Sequence, residues 1–213
     1  MPFTAALAAA HGLDPATEPD LHIAIRRSVG WPHAVMAVLV DISKGIFPVL
    51  IGFGFSLSVW AVSLAGVAAV AGQMWPPMRG LGEKGNSTGV GALISLLLVY
   101  QAYMGLLSVA CFVLGSAARL WTLRSSSPHL RRPDHPLSLL LPVGMLAGFV
   151  AAPLLCWIAE EHIGITVWLL LLATAIAVRR LTAGLREDRS VGARMGPVLM
   201  RRLFLDQSLT GSD

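Results

Sequence analysis

Charged residues are scarce in this chain of 213 residues. They make up 13% of the sequence against 55% for hydrophobic residues, and the mean hydropathy is +0.69. A soluble globule of this size needs more polar side chains to cover its surface. The composition therefore excludes a soluble domain and predicts an integral membrane protein. Because no period-two alternation with the spacing of barrel strands occurs, we expect an all-α fold, a polytopic membrane helix bundle.

Cysteine is also rare, since only Cys111 and Cys156 occur. Both lie in apolar segments without a CxxC or Cys/His spacing, so the sequence predicts neither a disulfide nor a zinc site. The histidines are scattered without metal-ligand periodicity, and we expect no metal and no cofactor. There is no HxxxD pair or Ser/His/Asp order, which leaves nucleophilic catalysis by the protein itself without a candidate.

Long apolar runs indicate the membrane helices. Residues 35–75 have about twice the length of one span, so we predict two helices joined near Gly52 to Ser58. Residues 89–119 are too long for one ordinary helix and rather short for two. Further apolar runs cover residues 137–158 and 163–178.

The basic residues decide between one and two helices in residues 89–119. Lys and Arg accumulate on the cytoplasmic side of bacterial membranes. Two short spans that break near Tyr100 to Met104 place all the basic loops and the basic tail on one side. The loop on the other side then holds only Glu160, Glu161 and His162 as ionisable residues. We therefore predict about six spans, short in the centre of the chain, in a bacterial inner membrane with both termini cytoplasmic.

Three regions follow from this topology. Residues 1–32 form a cytoplasmic or interfacial arm, residues 33–178 form the transmembrane domain, and residues 179–213 form a basic amphipathic tail. The transmembrane domain carries a glycine loop at 75–90 and a basic loop at 119–136, both cytoplasmic. The net charge of +4 comes largely from the tail and the basic loop, which adjoin spans. The expected partners are therefore membrane lipids and not nucleic acid.

The segment GQMWPPMRGLGEKGNSTGVG, residues 72–91, combines prolines, glycines and small polar residues with Lys84, one of two lysines in the chain. Glycines let backbone N–H groups approach an anion, and lysine supplies a point charge. This pattern favours a phosphate site. A flexible polar loop with an incidental lysine is the alternative.

A second group of charges lies in VLVDISKGIFP, residues 38–48. Asp41 and Lys44 are neighbours on one helix face, and each costs about 2.5–3.5 kcal/mol at the centre of a membrane helix. Such a pair is retained in a span for a ligand, an ion or structural pairing. Alternatively the helix begins nearer Asp41, and both groups lie at headgroup depth.

Together these segments resemble the PlsY-type glycerol-3-phosphate acyltransferases, which carry an Arg, a Gly and DxxKG, then a GHxxP turn with GGKGVAT, then RLxxGxE. Three elements match in order, within RSVGWPHAVMAVLVDISKG, AGVAAVAGQMWPPMRGLGEKG and RRLTAGLRE. The matching residues are Arg27, Gly30, Asp41, Lys44 and Gly45; Gly72, Pro76, Gly82, Lys84, Gly85 and Thr88; and Arg180, Leu181 and Gly184.

The resemblance implies transfer of an acyl group from acyl phosphate to the sn-1 hydroxyl of glycerol 3-phosphate, without a covalent acyl-enzyme. It implies that Lys84 and the amides of Gly82 to Asn86 hold one phosphate and that Arg27 holds the other. Asp41 and Lys44 orient the site, and Gln73 stands at the turn position. Gly85, Ser87, Thr88 and Arg180 complete the expected substrate-binding set.

The chain also departs from the family pattern. Residues 17–24 lack the family's two asparagines, and the turn histidine is Gln73, which cannot take a proton near neutral pH. Glu83 replaces a glycine of the GGKG loop, and the family's first span has no counterpart. Two other hypotheses therefore stay open. One is a non-catalytic relative that binds lipid or phosphate or serves as a subunit beside a membrane protein partner, and the other is a small transporter.

Overall fold

The computed structural model describes residues 3–13, 21–76, 84–125, 127, 129, 135–182, 185 and 195–206. Every regular element within those residues is helical. The α-helices are α1 (Phe3–Ala10), α2 (Leu21–Ser28), α3 (Trp31–Gly54), α4 (Val59–Met74), α5 (Asn86–Val99), α6 (Val109–Arg124), α7 (Pro136–Ile158), α8 (Ile163–Thr182) and α9 (Met195–Leu205). A 3₁₀ helix, Tyr103–Ser108, leads into α6.

Within the part of the chain that the structure describes, four helical segments are long and apolar enough to cross a membrane, namely Trp31–Gly54, Tyr103–Arg124, Pro136–Ile158 and Ile163–Thr182. Two shorter apolar helices, Val59–Met74 and Asn86–Val99, accompany them. These findings confirm the predicted all-α membrane fold with short central helices. How many of the helices cross the membrane, and in which direction, stays a prediction.

The chain divides into two compact units, Met1–Val99 and Tyr100–Asp213. In the first unit, α3 is the central helix and packs against α1, α2, α4 and α5. In the second unit, α7 takes this role and packs against the 3₁₀ helix, α6, α8 and α9.

Helix α3 shows how an apolar segment forms both a core and a lipid-facing surface. It begins after Gly30, whose φ is +121°, with Pro32 in its first turn, where proline is compatible with a helix. The residues buried along it recur at helical spacing: Ala34, Ala37, Asp41, Gly45, Val49 and Gly52. Large apolar side chains such as Leu39, Phe47 and Ile51 are exposed on its other faces. An apolar exposed surface of this kind suits a lipid environment.

Both predicted helix breaks are present. The first lies between Gly54 and Val59, where the side chain of Ser58 accepts a hydrogen bond from the Ala61 N–H (3.3 Å) and caps α4. The second lies at residues 100–102, where Gln101 has a φ of +56°.

Three loop and span boundaries differ from the sequence prediction. The glycine loop ends before Asn86 and not at residue 90, and the basic loop begins only after Arg124 and not at residue 119. Helix α8 continues to Thr182, past the predicted end at 178. In α8 the reason is that Arg179 and Arg180 are buried in the second unit, so the helix does not end where the apolar run ends. The division into arm, transmembrane domain and tail stays a prediction.

Candidate active site

Helices α3 and α5 approach each other closely enough for their backbones to touch. A Cβ added to Gly45 would overlap the carbonyl oxygen of Thr88 and come within 2.6 Å of the Ala92 nitrogen, and one added to Gly91 would overlap the carbonyl oxygen of Ile42. Small residues at such crossings let membrane helices pack at close range. The crossing therefore requires glycine at both positions, and it places the first turns of α5 beside the DISKG element.

Asp41 is 2% exposed and lies at the centre of a hydrogen-bonded cluster. Lys44 donates from Nζ to its Oδ1 at 2.5 Å, and Thr4 donates from Oγ1 to its Oδ2 at 2.8 Å. His22 Nε2 lies 3.2 Å from the same Oδ2. Because an ionised carboxylate only accepts hydrogen bonds, His22 presents an Nε2–H group to it.

The Lys44 ammonium joins this carboxylate to helix α4. It lies 3.4 Å from Oε1 of Gln73, which is buried at the end of α4. The Lys44 side chain is 29% exposed, whereas Asp41 is enclosed. The cation is therefore the member of the pair that a ligand can reach.

Thr88 connects helix α5 to the same cluster. It is 1% exposed and donates from Oγ1 to the main-chain oxygen of Asp41 at 2.9 Å. Two predicted site residues from other segments are thus joined to the Asp41–Lys44 pair: Gln73 lies beside Lys44, and Thr88 bonds to the main chain of Asp41.

The beginning of α5 is set by Gly85. Its φ of +74° is a conformation that favours glycine, and an added Cβ would lie 2.6 Å from Cγ of Met74 at the end of α4. Its carbonyl oxygen accepts the first helical hydrogen bond, from the Gly89 N–H (2.8 Å). The preceding residue, Lys84, is exposed. Gly82 lies outside the described residues.

Asn86 opens α5 with a buried acceptor. Its Oδ1 is buried and has no hydrogen-bond partner in the described part of the chain. A buried polar atom without a partner costs about 1–3 kcal/mol, so it is usually matched by a ligand or by water. Asn86 and its neighbour Ser87 are both partly buried in the first turn.

Two further predicted site residues are Arg27 and Arg180. Arg27 is exposed in the last turn of α2, and no hydrogen bond or ion pair joins it to the described residues. Arg180 belongs to the second unit and is 3% exposed, and its Nη1 donates to the main-chain oxygens of Pro142 and Leu203, both at 3.0 Å. The substrate-binding roles of both arginines stay predictions.

Two residues that contact Asp41 were missed by sequence reasoning. Thr4 lies in a short alanine-rich helix, and His22 lies in a segment that lacks the expected asparagines. The missed signal was the amphipathic pattern LHIAIRRS, which places His22 and Ile25 on one face and so turns His22 toward the packed side of α2.

The comparison with known families decides the classification. The family model described as glycerol-3-phosphate acyltransferase matches residues 22–186. The chain belongs to this family. The match covers all three sequence elements, including DISKG and the beginning of α5.

Individual acyltransferases match over shorter segments. A glycerol-3-phosphate acyltransferase of Parasynechococcus marenigrum (strain WH8102) is 36% identical over 91 residues, which cover 40% of this chain and 43% of that protein. One of Prochlorococcus marinus (strain MIT 9211) is 31% identical over 110 residues, covering 51% and 52%. The matched segments thus span about half the length of these relatives or less.

Solved structures extend the likeness to the fold. The crystal structure of PlsY (YgiH), an integral membrane glycerol 3-phosphate acyltransferase, in its glycerol 3-phosphate form has a TM-score of 0.61 and is 21% identical, covering 89% of this chain and 83% of that one. The lysophosphatidic acid form has a TM-score of 0.60 at 17% identity, covering 90% and 86%. The family member described here therefore has the fold of an integral membrane acyltransferase.

Proposed function

We propose that this protein transfers an acyl group from an acyl phosphate to the sn-1 hydroxyl of glycerol 3-phosphate. The hydroxyl oxygen attacks the acyl carbonyl carbon and forms the new ester bond. The bond between that carbon and the bridging phosphate oxygen breaks, and inorganic phosphate leaves with the bonding electrons. The hydroxyl proton passes to the released phosphate or to water. The products are lysophosphatidic acid and phosphate.

The observation that carries this proposal is the convergence of three motif segments on Lys44. An ammonium held by Asp41 and Gln73 at the end of α4, beside the first turns of α5, is suited to bind a phosphate or the developing negative charge of the transition state. Both substrates are phosphorylated. Because an acyl phosphate is already activated, positioning and charge stabilisation can supply much of the rate without a cofactor.

The beginning of α5 is the proposed second part of the site. Lys84 adds an exposed cation there, and the first-turn N–H groups of a helix favour an anion. The buried Oδ1 of Asn86 is suited to accept a hydrogen bond from a glycerol hydroxyl. Gly82 and Ser87 would add backbone and hydroxyl donors, and Arg27 would hold the second phosphate.

The decisive experiment measures lysophosphatidic acid formed by the purified protein from palmitoyl phosphate and labelled glycerol 3-phosphate. We expect product from the unmodified chain and a loss of at least about 100-fold in Lys84→Ala, the magnitude typical of a removed transition-state donor. Arg124→Ala is the matched control, because Arg124 is also an exposed basic residue at the end of an apolar helix, and it should retain activity.

Two other outcomes of this assay would contradict parts of the proposal. Equal activity of Lys84→Ala and Arg124→Ala would remove Lys84 from the mechanism. No product from folded protein, with several acyl phosphates tried, would overturn the acyltransferase proposal. It would favour a lipid- or phosphate-binding relative, for which the replacement of the family's turn histidine by Gln73 is the supporting observation.

We also propose that the protein lies in the bacterial inner membrane with both termini and the glycine loop cytoplasmic. The one-sided distribution of Arg and Lys supports this orientation. Single cysteines at positions 83 and 125 should both be shielded from an impermeant thiol reagent in intact cells. Labelling at position 83 alone would contradict the topology.

A further inference from the structure

We propose that Thr4 and His22 are positioning residues that hold the Oδ2 atom of Asp41 and thereby direct Oδ1, and with it the Lys44 ammonium, toward the substrate phosphate. This inference rests on the proposed function. Thr4 precedes the segment that the family model matches, and His22 is the first matched residue. The first two helices would then be part of the active site and not only an interfacial arm.

The argument begins with the two oxygens of the Asp41 carboxylate. Lys44 donates a hydrogen bond to Oδ1 of Asp41 and not to Oδ2. The Asp41 side chain is 2% exposed, so Oδ2 is also buried. Apart from Lys44, the residues one turn away on α3 are Ala37, Val38 and Gly45, which offer no polar side chain. A buried charged oxygen without a partner is costly, so its donors must come from other helices. Thr4 from α1 and His22 from α2 are those donors.

The donors matter because Lys44 depends on Asp41 for its position. The other described acceptor of the ammonium is the neutral Oε1 of Gln73, at the longer distance of 3.4 Å. Lysine carries several rotatable bonds, so its ammonium is placed mainly by its ion pair. A carboxylate free to rotate about its Cβ–Cγ bond would leave the ammonium in several positions. Two donors on Oδ2 select one of them.

The supporting helices are held by apolar packing that does not involve the polar contacts. Ala8, Ile25, Ala34 and Ala37 form a buried cluster, with Leu7, Leu13, Leu21 and Val29 packed against it. This cluster joins α1 and α2 to α3. Because it remains when a hydroxyl is removed, the contribution of the Thr4 hydrogen bond can be separated from the packing of α1.

The test pairs each disruptive substitution with a conservative one in the full-length protein. Thr4→Val keeps the volume of the fully buried Thr4 and removes its donor, whereas Thr4→Ser keeps the hydroxyl. His22→Leu removes the ring donor, and His22→Gln retains an N–H donor. Thr174→Val is the control for Thr-to-Val replacement, since Thr174 is exposed and bonds only to Leu170 in its own helix.

Two readouts separate positioning from folding. Calorimetric titration with glycerol 3-phosphate gives a stoichiometry that reports the folded fraction and a Kd that reports the site, and the acyl transfer assay gives kcat and KM. We expect Thr4→Val and His22→Leu to raise Kd and KM by about tenfold, as is typical for a lost hydrogen bond to a charged group, with unchanged stoichiometry. Thr4→Ser and His22→Gln should restore most of the affinity, and Thr174→Val should match the unmodified protein.

The outcomes distinguish this inference from the proposed function. If the unmodified protein forms lysophosphatidic acid while Thr4→Val and His22→Leu keep its Kd and KM, the positioning role is overturned and the function stands. A reduced stoichiometry at constant Kd would show a merely structural role and would also overturn it. If the unmodified protein binds glycerol 3-phosphate without turnover, acyl transfer fails and the change in Kd still decides the inference. Absence of any binding overturns both.

Discussion

The two units of this protein use the same packing device at their central helices. In the first unit, Gly45 and Gly91 bring the backbones of α3 and α5 into contact. In the second, a Cβ on Gly115 would lie 2.7 Å from the carbonyl oxygen of Leu140, and one on Gly144 would lie 2.6 Å from that of Cys111. Glycine thus permits the close crossing of α6 and α7 as it does that of α3 and α5.

The units differ in the polar groups that they bury beside these crossings. The first holds Asp41 and Lys44, a pair of opposite charge in which Asp41 is buried and the Lys44 side chain is 29% exposed. The second buries Arg119 at 8% exposure, where its Nη1 donates to Ser138 Oγ at 2.7 Å. A buried cation that bonds to a hydroxyl of a neighbouring helix, as Arg119 does, can join two helices, whereas a partly exposed cation is the one that a substrate can reach. The comparison therefore supports the proposal that Lys44 binds substrate and predicts a structural role for Arg119.

The largest expected effect that separates the two units is on turnover. Lys44→Met should lower kcat/KM by at least about 100-fold, because it removes the cation that stabilises phosphate charge. Arg119→Met should lower the midpoint of thermal unfolding through loss of its bond to Ser138, while kcat per folded molecule stays unchanged. Steady-state acyl transfer and thermal unfolding of both variants provide the measurement.

A loss of kcat in folded Arg119→Met as large as in Lys44→Met would break the distinction between the units. Arg119 would then have a role in turnover and not only in stability.

The second effect concerns the glycine crossings and should be common to both units. Gly45→Ala and Gly144→Ala should each destabilise the protein by about 3 kcal/mol or more, since the added Cβ meets rigid backbone and the overpacking range is about 1–3 kcal/mol. Gly54→Ala in the same helix as Gly45 is the matched control, because nothing lies within 4 Å of its added Cβ. Its effect should stay within about 0.5 kcal/mol. Unfolding of the detergent-solubilised variants measures these differences.

A Gly45→Ala protein as stable as Gly54→Ala would contradict the close crossing of α3 and α5. It would also remove the reason for placing Thr88 beside Asp41.

The smallest expected effect concerns the hydrogen bond between Thr88 and Asp41 at the crossing of α3 and α5. Thr88→Val should cost about 0.6 kcal/mol, the average measured for hydrogen bonds between membrane helices, since it removes the bond to the Asp41 main-chain oxygen. Thr182→Val, whose hydroxyl bonds within its own helix, serves as the reference in unfolding measurements. Equal stability of the two variants would show that the bond from Thr88 adds nothing to the crossing.

Most of the architecture could be predicted because it depends on local patterns. Apolar length located α7 and α8, and the positions of Arg and Lys led to the break at residues 100–102, where Gln101 has a positive φ. The ends of helices were less predictable. The sequence predicted that the basic tail begins at Arg179. Helix α8 instead continues through Arg179 and Arg180, because Arg180 donates hydrogen bonds to carbonyl oxygens inside the second unit. Such partners come from distant segments, which hydropathy does not reveal.

The candidate site, like the fold, could be predicted from the sequence only in part. The membrane class, the family and the pairing of Asp41 with Lys44 could be predicted, because they depend on composition, motif order and the three-residue spacing of one helix turn. The packed structure was needed to show that Gln73 bonds to Lys44, that Thr88 bonds to the main-chain oxygen of Asp41, and that Thr4 and His22 hold the Asp41 carboxylate. The physical reason is that a buried carboxylate takes donors from whichever helices pack around it, and that packing follows from glycine contacts between segments far apart in the chain.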